Sequence, residues 1–362
     1  MKVDVHLPSG HGCSVEVSPE TTINELKAAA QKHFQRRLKL TAKGRQLDLT
    51  ATLSEAGLRD GDIVAAVVQI GKLAATFKAF AWHGHAGEVV TWGDPGFGGD
   101  SSQVQEQLRH VQHIQATGGA FAAILESGAV VTWGRTDFGG DSSQVQEKLR
   151  NVQHIQAAAS GAFAAILDGG DVVTWGNTDC GGDCGQVQEQ LRHVQHIQAT
   201  SGAFAAILQS GAVVTWGAPE DGGDSSQVQH QLRNVQQIQA NDRAFAAILE
   251  SGFVVTWGNP ESGGDSSQVK GQLVNVQHIQ SSLQAFAAIL ESGAVVTWGN
   301  QDMGGDSSQV QEQLRNVQRI QATDGAFAAI LESGAIVTWG DSGCGGDSKQ
   351  VQQELGLDLG LL

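Results

Sequence analysis

Apolar residues along this chain fall into short runs that return at a fixed interval. AFAAIL at residues 120–125 is followed by E-S-G and then AVVTWG at 129–134, and this order occurs in seven units, degenerate in the first. Two apolar runs joined by a glycine-containing turn predict a β-hairpin. Both faces of each run are apolar, so each small sheet needs cover on both sides. After TWG come four variable residues and then G-G-D-S-S-Q-V-Q-E-Q-L-R-N-V-Q-H-I-Q-A. In every unit Gln follows Asp by three positions, from Asp100 and Gln103 to Asp347 and Gln350. That spacing predicts a capping box and a short helix over SSQVQEQL. V-Q-H-I-Q-A then returns as a further strand.

The period sets the architecture. The TWG tryptophans are Trp92, Trp133, Trp175, Trp216, Trp257, Trp298 and Trp339, spaced by 41 residues except for one interval of 42. A unit of three strands cannot bury two apolar faces alone, and stacking such units solves the problem. Seven units of this length match the blades of a β-propeller. The seventh ends in QQELGLDLGLL without its V-Q-H-I-Q strand, while a degenerate copy, IGKLAATFKAFAW, begins at Ile70. Ile70 and Leu73 stand at the spacing of Val111 and Ile114 in the next unit. The expectation is a ring over residues 70–362, closed by a strand near 70–75 that completes the last blade.

Residues 1–69 follow a different pattern. VDVHL, PSGHG and CSVEV alternate as a hairpin does, and SPETTINELKAAAQKHF carries Ile23, Leu26, Ala30 and Phe34 at helical spacing, with Ser18 or Thr21 as the cap. LKLTAKGRQLDL reads as a second strand pair, and TLSEAGLRDGDIVAAVVQ as a short turn and a last strand. This order, with "KGRQLD" and "TLSEAGLRDGD", resembles ubiquitin-like (β-grasp) domains. The resemblance implies recognition by ubiquitin-binding proteins or the proteasome. The position aligned with the central isoleucine of ubiquitin's hydrophobic patch is Thr41, and the chain continues where a conjugating Gly-Gly would be free.

The order AFAAILESGAVVTWG, with a strand ending in Trp-Gly, resembles the regulator of chromosome condensation (RCC-type) repeat over about residues 70–351. Phe121 and its counterparts stand where that family usually has His, and GGDSSQ replaces its Gly-Gln-Leu-Gly ending. The expected fold is thus mostly β, a seven-bladed RCC-like propeller preceded by a small α+β ubiquitin-like domain. Three roles are expected, the first from the variable loops and the ubiquitin-like domain, the other two as what the RCC-type resemblance implies. One is a non-enzymatic scaffold or adaptor that binds protein through its loops. Another is regulation of, or nucleotide exchange on, a small GTPase. The third is a fragment of a HERC-like ubiquitin ligase without its HECT catalytic domain.

Charge narrows the partners. The chain has 22 Lys+Arg against 38 Asp+Glu, a formal charge of -16. Residues 1–70 are nearly balanced, with nine basic and eight acidic residues, which leaves 13 against 30 for the remainder. An acidic repeat region disfavours nucleic acid and anionic membranes, and favours protein partners with a neutral or basic surface. No run approaches the ~20 apolar residues of a membrane span, and the start lacks the pattern of a secretory signal. The expected state is a monomer inside the cell, cytoplasmic or nuclear. Cys13, Cys180, Cys184 and Cys344 suit a reducing compartment rather than a disulfide framework.

Chemistry-bearing motifs are scarce. His113, His154, His196 and His278 recur in V-Q-H-I-Q, but Gln237 and Arg319 replace them in two units, which reads as a polar lining rather than a metal site. The GGD aspartates lack the ligand spacing of a calcium loop. CGGDC at 180–184 has Ser and other residues in the sister units, so a designed thiol site is not expected. Nucleophile elbow, phosphate loop and zinc-protease signatures are absent from the sequence. No enzyme activity, cofactor or metal is expected. Variation concentrates in the four residues after TWG and in those before AFAAIL. Phe97, Phe138 and Met303, with Arg135 and Arg243, are the candidate protein-binding residues, being apolar or arginine at positions expected to be exposed in loops.

Overall fold

The computed structural model describes residues 1–352 apart from 36, 37, 43, 69, 70, 85 and 86. It is mostly β and divides into two compact units, Met1–Leu73 with Trp82–Val89, and Ala74–Ala81 with Val90–Leu362.

The N-terminal domain folds around one helix. Strands β1 (Lys2–His6), β2 (Gly12–Glu16), β3 (Leu38–Ala42), β4 (Arg45–Gln46) and β5 (Ile63–Val68) form a sheet in the order β2-β1-β5-β3-β4. β1 and β5 are parallel, and β3 runs antiparallel to β5 with Thr41 opposite Ala65. Helix α1 (Ile23–Phe34) buries Ile23, Leu26 and Ala30 against Val3, Val5, Leu40 and Val64. Its cap is Thr22, neither Ser18 nor Thr21, the two expected. The Thr22 hydroxyl accepts from the Glu25 amide at 3.3 Å, and a Glu25 carboxylate oxygen accepts from the Thr22 amide at 2.8 Å. Glu25, three residues after Thr22, decides the choice, because only that pair closes a capping box. Thr52 and Glu55 repeat the device.

The rest of the described chain holds seven three-stranded sheets, each with an AFAAIL-type strand in the middle. The first contains Lys72–Ala75, Ala79–His83 and Val89–Gly93; the second Val111–Ala116, Ala120–Leu125 and Val130–Gly134; the seventh Val317–Ala322, Ala326–Leu331 and Ile336–Gly340. Such sheets are compatible with propeller blades. In the second sheet Phe121 stands opposite Trp133, and the same pairing recurs through Phe327 and Trp339. The strand near 70–75 does not complete the last blade. Lys72–Ala75 lies in the first sheet, and the seventh has all three strands within 317–340. V-Q-H-I-Q-A pairs with the AFAAIL that follows it, so each sheet is complete in sequence order. Ile70 lies outside the described residues.

Packing between sheets uses two different faces. Each sheet from the third onward presents Phe and Trp backwards, as Phe163 and Trp175 do, to Ala120, Ala122, Ile124 and Val130 of the sheet before. Leu149, from the connecting segment, fills the same core. Phe and Trp rings of one sheet stack at 5.1–5.3 Å from Phe121 to Trp339. The indole N–H then reaches into the preceding unit: Trp175 donates to the Gly139 carbonyl at 3.0 Å. Glycine is required there because Gly139 has φ +87°, and a Cβ would lie 2.7 Å from the Phe163 ring.

Backbone bonds tie the units at their variable ends. Phe77 N–H donates to the Gly118 carbonyl and Gly118 N–H to Ala159; Ser160 donates to Ser201, Ser201 to Asp242, Asp242 to Leu283 and Leu283 to Asp324. The interval of 42 is absorbed here. The extra residue in AAASG lets Ala159 accept from one side while Ser160 donates to the other, next to a seven-residue strand, Val152–Ala158.

The short helix expected over SSQVQEQL forms in several units as a 3-10 turn, and not through the expected capping box. The Asp carboxylate accepts from the amide two residues on, as Asp141 does from Ser143 at 2.9 Å, and a short 3-10 turn follows at Gln146–Lys148. The Gln three residues after Asp takes no part in this. Gln146, five residues on, accepts from the Ser142 hydroxyl at 2.9 Å and donates to the Val130 carbonyl at 3.0 Å, which pins the segment to the strand edge and stops propagation. Only the last unit forms a helical turn of α type, Lys349–Gln352.

Candidate interaction surface

The two variable stretches meet at one end of each sheet. VVTWG ends there, and so does the loop between V-Q-H-I-Q-A and AFAAIL, because the three strands alternate in direction. The residues after TWG form a 3-10 turn, such as Thr136–Phe138, whose last carbonyl accepts from a side chain of the neighbouring loop: Thr117 reaches Phe138 and Asn241 reaches Ser262. The fourth variable residue is thereby folded inward rather than held out in solvent.

Phe97, Phe138 and Met303 are accordingly half-buried, contrary to the exposure expected of them. Phe138 sits between its own unit's loop and the next, where a Cβ added at Gly119 or Gly161 would lie 2.9 Å from it. Met303 packs into the core between the sixth and seventh sheets. Letters that vary in one stretch thus answer letters that vary in the other, with glycine flanking the largest ring.

The arginines are engaged as well. Arg135 binds Asp137 through Nε at 3.0 Å and through its terminal nitrogen at 2.6 Å, lies 4.7 Å from the Phe138 ring centre and reaches the Phe97 ring at 5.3 Å. Lys78 covers Phe97 at 4.8 Å. The Arg135 side chain holds the Asp137 carboxyl below its ordinary range. Arg243 donates to Asp221 at 2.7 Å, a bond that raises the guanidinium's pKa further. The structure therefore gathers Phe97, Arg135 and Phe138 into one cation–π stack and places Arg243 and Met303 in other repeats. With both arginines paired, this edge is dominated by carboxylates such as Asp94, Asp179, Glu220 and Asp324.

Other candidates resolve into local structure. The serine amides hold Asp100, Asp141 and Asp224 below their ordinary carboxylate range. Cys184 replaces the serine of its sisters, donating to Gln188 at 3.2 Å, and burial pushes its thiol and that of Cys180 up. Burial, then the neighbouring His196, lowers the pKa of His154. Among the described residues, no three His, Cys, Asp or Glu side chains gather as a metal site requires. No described helix is long and apolar enough to cross a membrane.

Several exposed apolar side chains escaped the sequence reading. On β5, Ile63 and Val67 are exposed on one face, beside Lys39 and Thr41 of β3. Their alternation with buried Val64 and Ala66 was the available signal. Leu283 is exposed in the variable stretch SSLQ.

No curated protein matches the chain. Among solved structures, the crystal structure of human WBSCR16 is similar at 14% identity, over 66% of this chain and 78% of that one, with a TM-score of 0.41. Residues 2–70 match the ubiquitin family, in agreement with the β-grasp sheet and its single packed helix.

Proposed function

We propose that this chain is a non-enzymatic protein-binding scaffold whose ubiquitin-like domain docks onto ubiquitin-recognising proteins while its repeats hold another protein. The match of residues 2–70 to the ubiquitin family carries the reading. The exposed Ile63 and Val67 supply an apolar strip for such docking, with Thr41 making it more polar at its centre. The acidic variable edge, with its arginines already neutralised, suits a basic partner. The repeats offer near-identical residues at equivalent positions, whereas catalysis needs unlike groups converging at one point.

The test is titration of the full chain with a panel of purified ubiquitin-binding domains. Saturable binding that Val67→Glu abolishes, with the fold of the variant intact, supports docking. Failure of every domain to bind, or binding indifferent to Val67→Glu, removes that role.

A further inference from the structure

We propose that the first and last repeat sheets are the two halves of a head-to-tail interface between copies of this chain. Each carries one face of a junction that is built repeatedly inside the molecule, and each leaves large apolar side chains of that face exposed.

On the first sheet the backward face is Phe80, Val90 and Trp92. Trp92 is 46% exposed, whereas the six later TWG tryptophans are 4–5% exposed. On the seventh sheet the forward face is Ala328, Ile330 and Ile336. Ile330 is 41% exposed, whereas its counterparts Ile124 to Ile289 are 4–7% exposed. Soluble repeat arrays end in polar caps. These two ends are instead apolar and complementary. Because both are exposed, they do not cover each other within one chain.

The polar complement is present too. Trp339 donates to the Gly304 carbonyl at 3.0 Å, and a Cβ at Gly304 would lie 2.6 Å from Phe327. Gly345 keeps this same backbone, with φ +98°, yet no described residue lies within 4 Å of its Cβ position. The space that Phe327 fills at Gly304 is open at Gly345. Phe80 and Trp92, stacked at 5.4 Å, are the ring pair that fits it. The backbone ladder likewise starts at Phe77, whose N–H donates to Gly118, and ends at Asp324, whose carbonyl accepts from Leu283, so an Asp324 N–H donating to the Phe77 carbonyl of a following copy extends it in register.

The occupant is therefore a second copy of this chain, through a heterologous contact that uses different patches on each partner. This departs from the monomer expected from sequence. The formal charge of -16 opposes association, so added salt strengthens it.

Sedimentation of the full chain over a range of concentrations and salt tests the proposal. Wild type forms concentration-dependent oligomers, and Trp92→Glu or Ile330→Glu weakens self-association at least about tenfold, as loss of an interface anchor does. Both positions are exposed, so the monomeric variants melt close to wild type. Mixing the two variants gives the decisive arm. One keeps an intact last face and the other an intact first face, so the mixture recovers a one-to-one dimer that neither forms alone. A wild type monomeric at every concentration overturns the proposal, whether its end faces stay open or are covered by its own chain. Oligomers unaffected by both substitutions, or variants that do not complement, also overturn it.

Discussion

The indole N–H of Trp133 donates to the carbonyl of Gly98 at 3.0 Å, 35 residues earlier in the preceding unit. Five further Trp–Gly pairs repeat the bond, up to Trp339 and Gly304. One residue thus fills a core with its ring and fixes the register between neighbouring units with its nitrogen.

Replacing Trp216 with Phe keeps much of the ring packing but leaves the buried Gly181 carbonyl without its donor. The expected loss is about 1–3 kcal/mol, the cost of an orphaned buried acceptor, and Trp216→Ala loses about 3–5 kcal/mol with the ring. Urea denaturation of the two variants measures both. Equal losses would show that the nitrogen contributes nothing.

Gly222→Ala and Gly345→Ala separate backbone strain from crowding. Both glycines have φ near +100°, but a Cβ at Gly222 lies 2.7 Å from the Phe245 ring and one at Gly345 meets no described residue. Both variants lose about 1–2 kcal/mol to the left-handed backbone. Gly222→Ala loses a further ~1–3 kcal/mol to overpacking. Melts at low protein concentration, where copies do not associate, give the comparison.

His83 stands where the later units have Ile, at 7% exposure. Burial, then Lys72, depresses its pKa, with the Gly84 backbone and Glu88 partly opposing. Above about pH 6.5, the ordinary histidine value, the ring is neutral in both folded and unfolded chains. As pH falls below that, the unfolded chain takes up the proton first, and stability is lost until the folded pKa is passed. His83→Ile removes this contribution, so its melting temperature falls less than that of wild type between pH 7.5 and 5.5. Identical pH profiles would contradict the sign.

The Arg135 stack on Phe97 and Phe138 is partly open to solvent, with the Arg135 side chain 39% exposed. Arg135→Ala is expected to lower stability slightly, by less than truncating any of the buried TWG tryptophans, because an exposed cation–π pair is weak. A double-mutant cycle with Phe97→Leu isolates the ring contribution. A coupling of zero would remove Phe97 from the stack and leave Phe138 and the ion pair with Asp137.

Much of this fold was legible because one pattern was written seven times. AFAAIL, E-S-G and VVTWG placed strands and turn, and Ile23, Leu26 and Ala30 placed the first helix. What was missed depends on contacts between units. Asp141 and Gln144 look like a capping box, but Gln146 bonds to Val130 and decides the local structure. Phe138 looks exposed in a loop, but small neighbours at Gly119 and Gly161 let it fold inward. The two arginines looked like free anchors, although Asp137 and Asp221 take them. The end faces were misjudged for the same reason, since the closing strand was assigned by spacing while its pairing partner is set by the strand beside it.

Hydroxyl-radical footprinting of the seven TWG tryptophans, read against protein concentration, tests the head-to-tail account most directly. In dilute protein Trp92 alone is oxidised readily while Trp133 to Trp339 are protected, and Trp92 becomes protected as concentration rises. Protection of Trp92 in dilute protein, or oxidation that does not change with concentration, would contradict it.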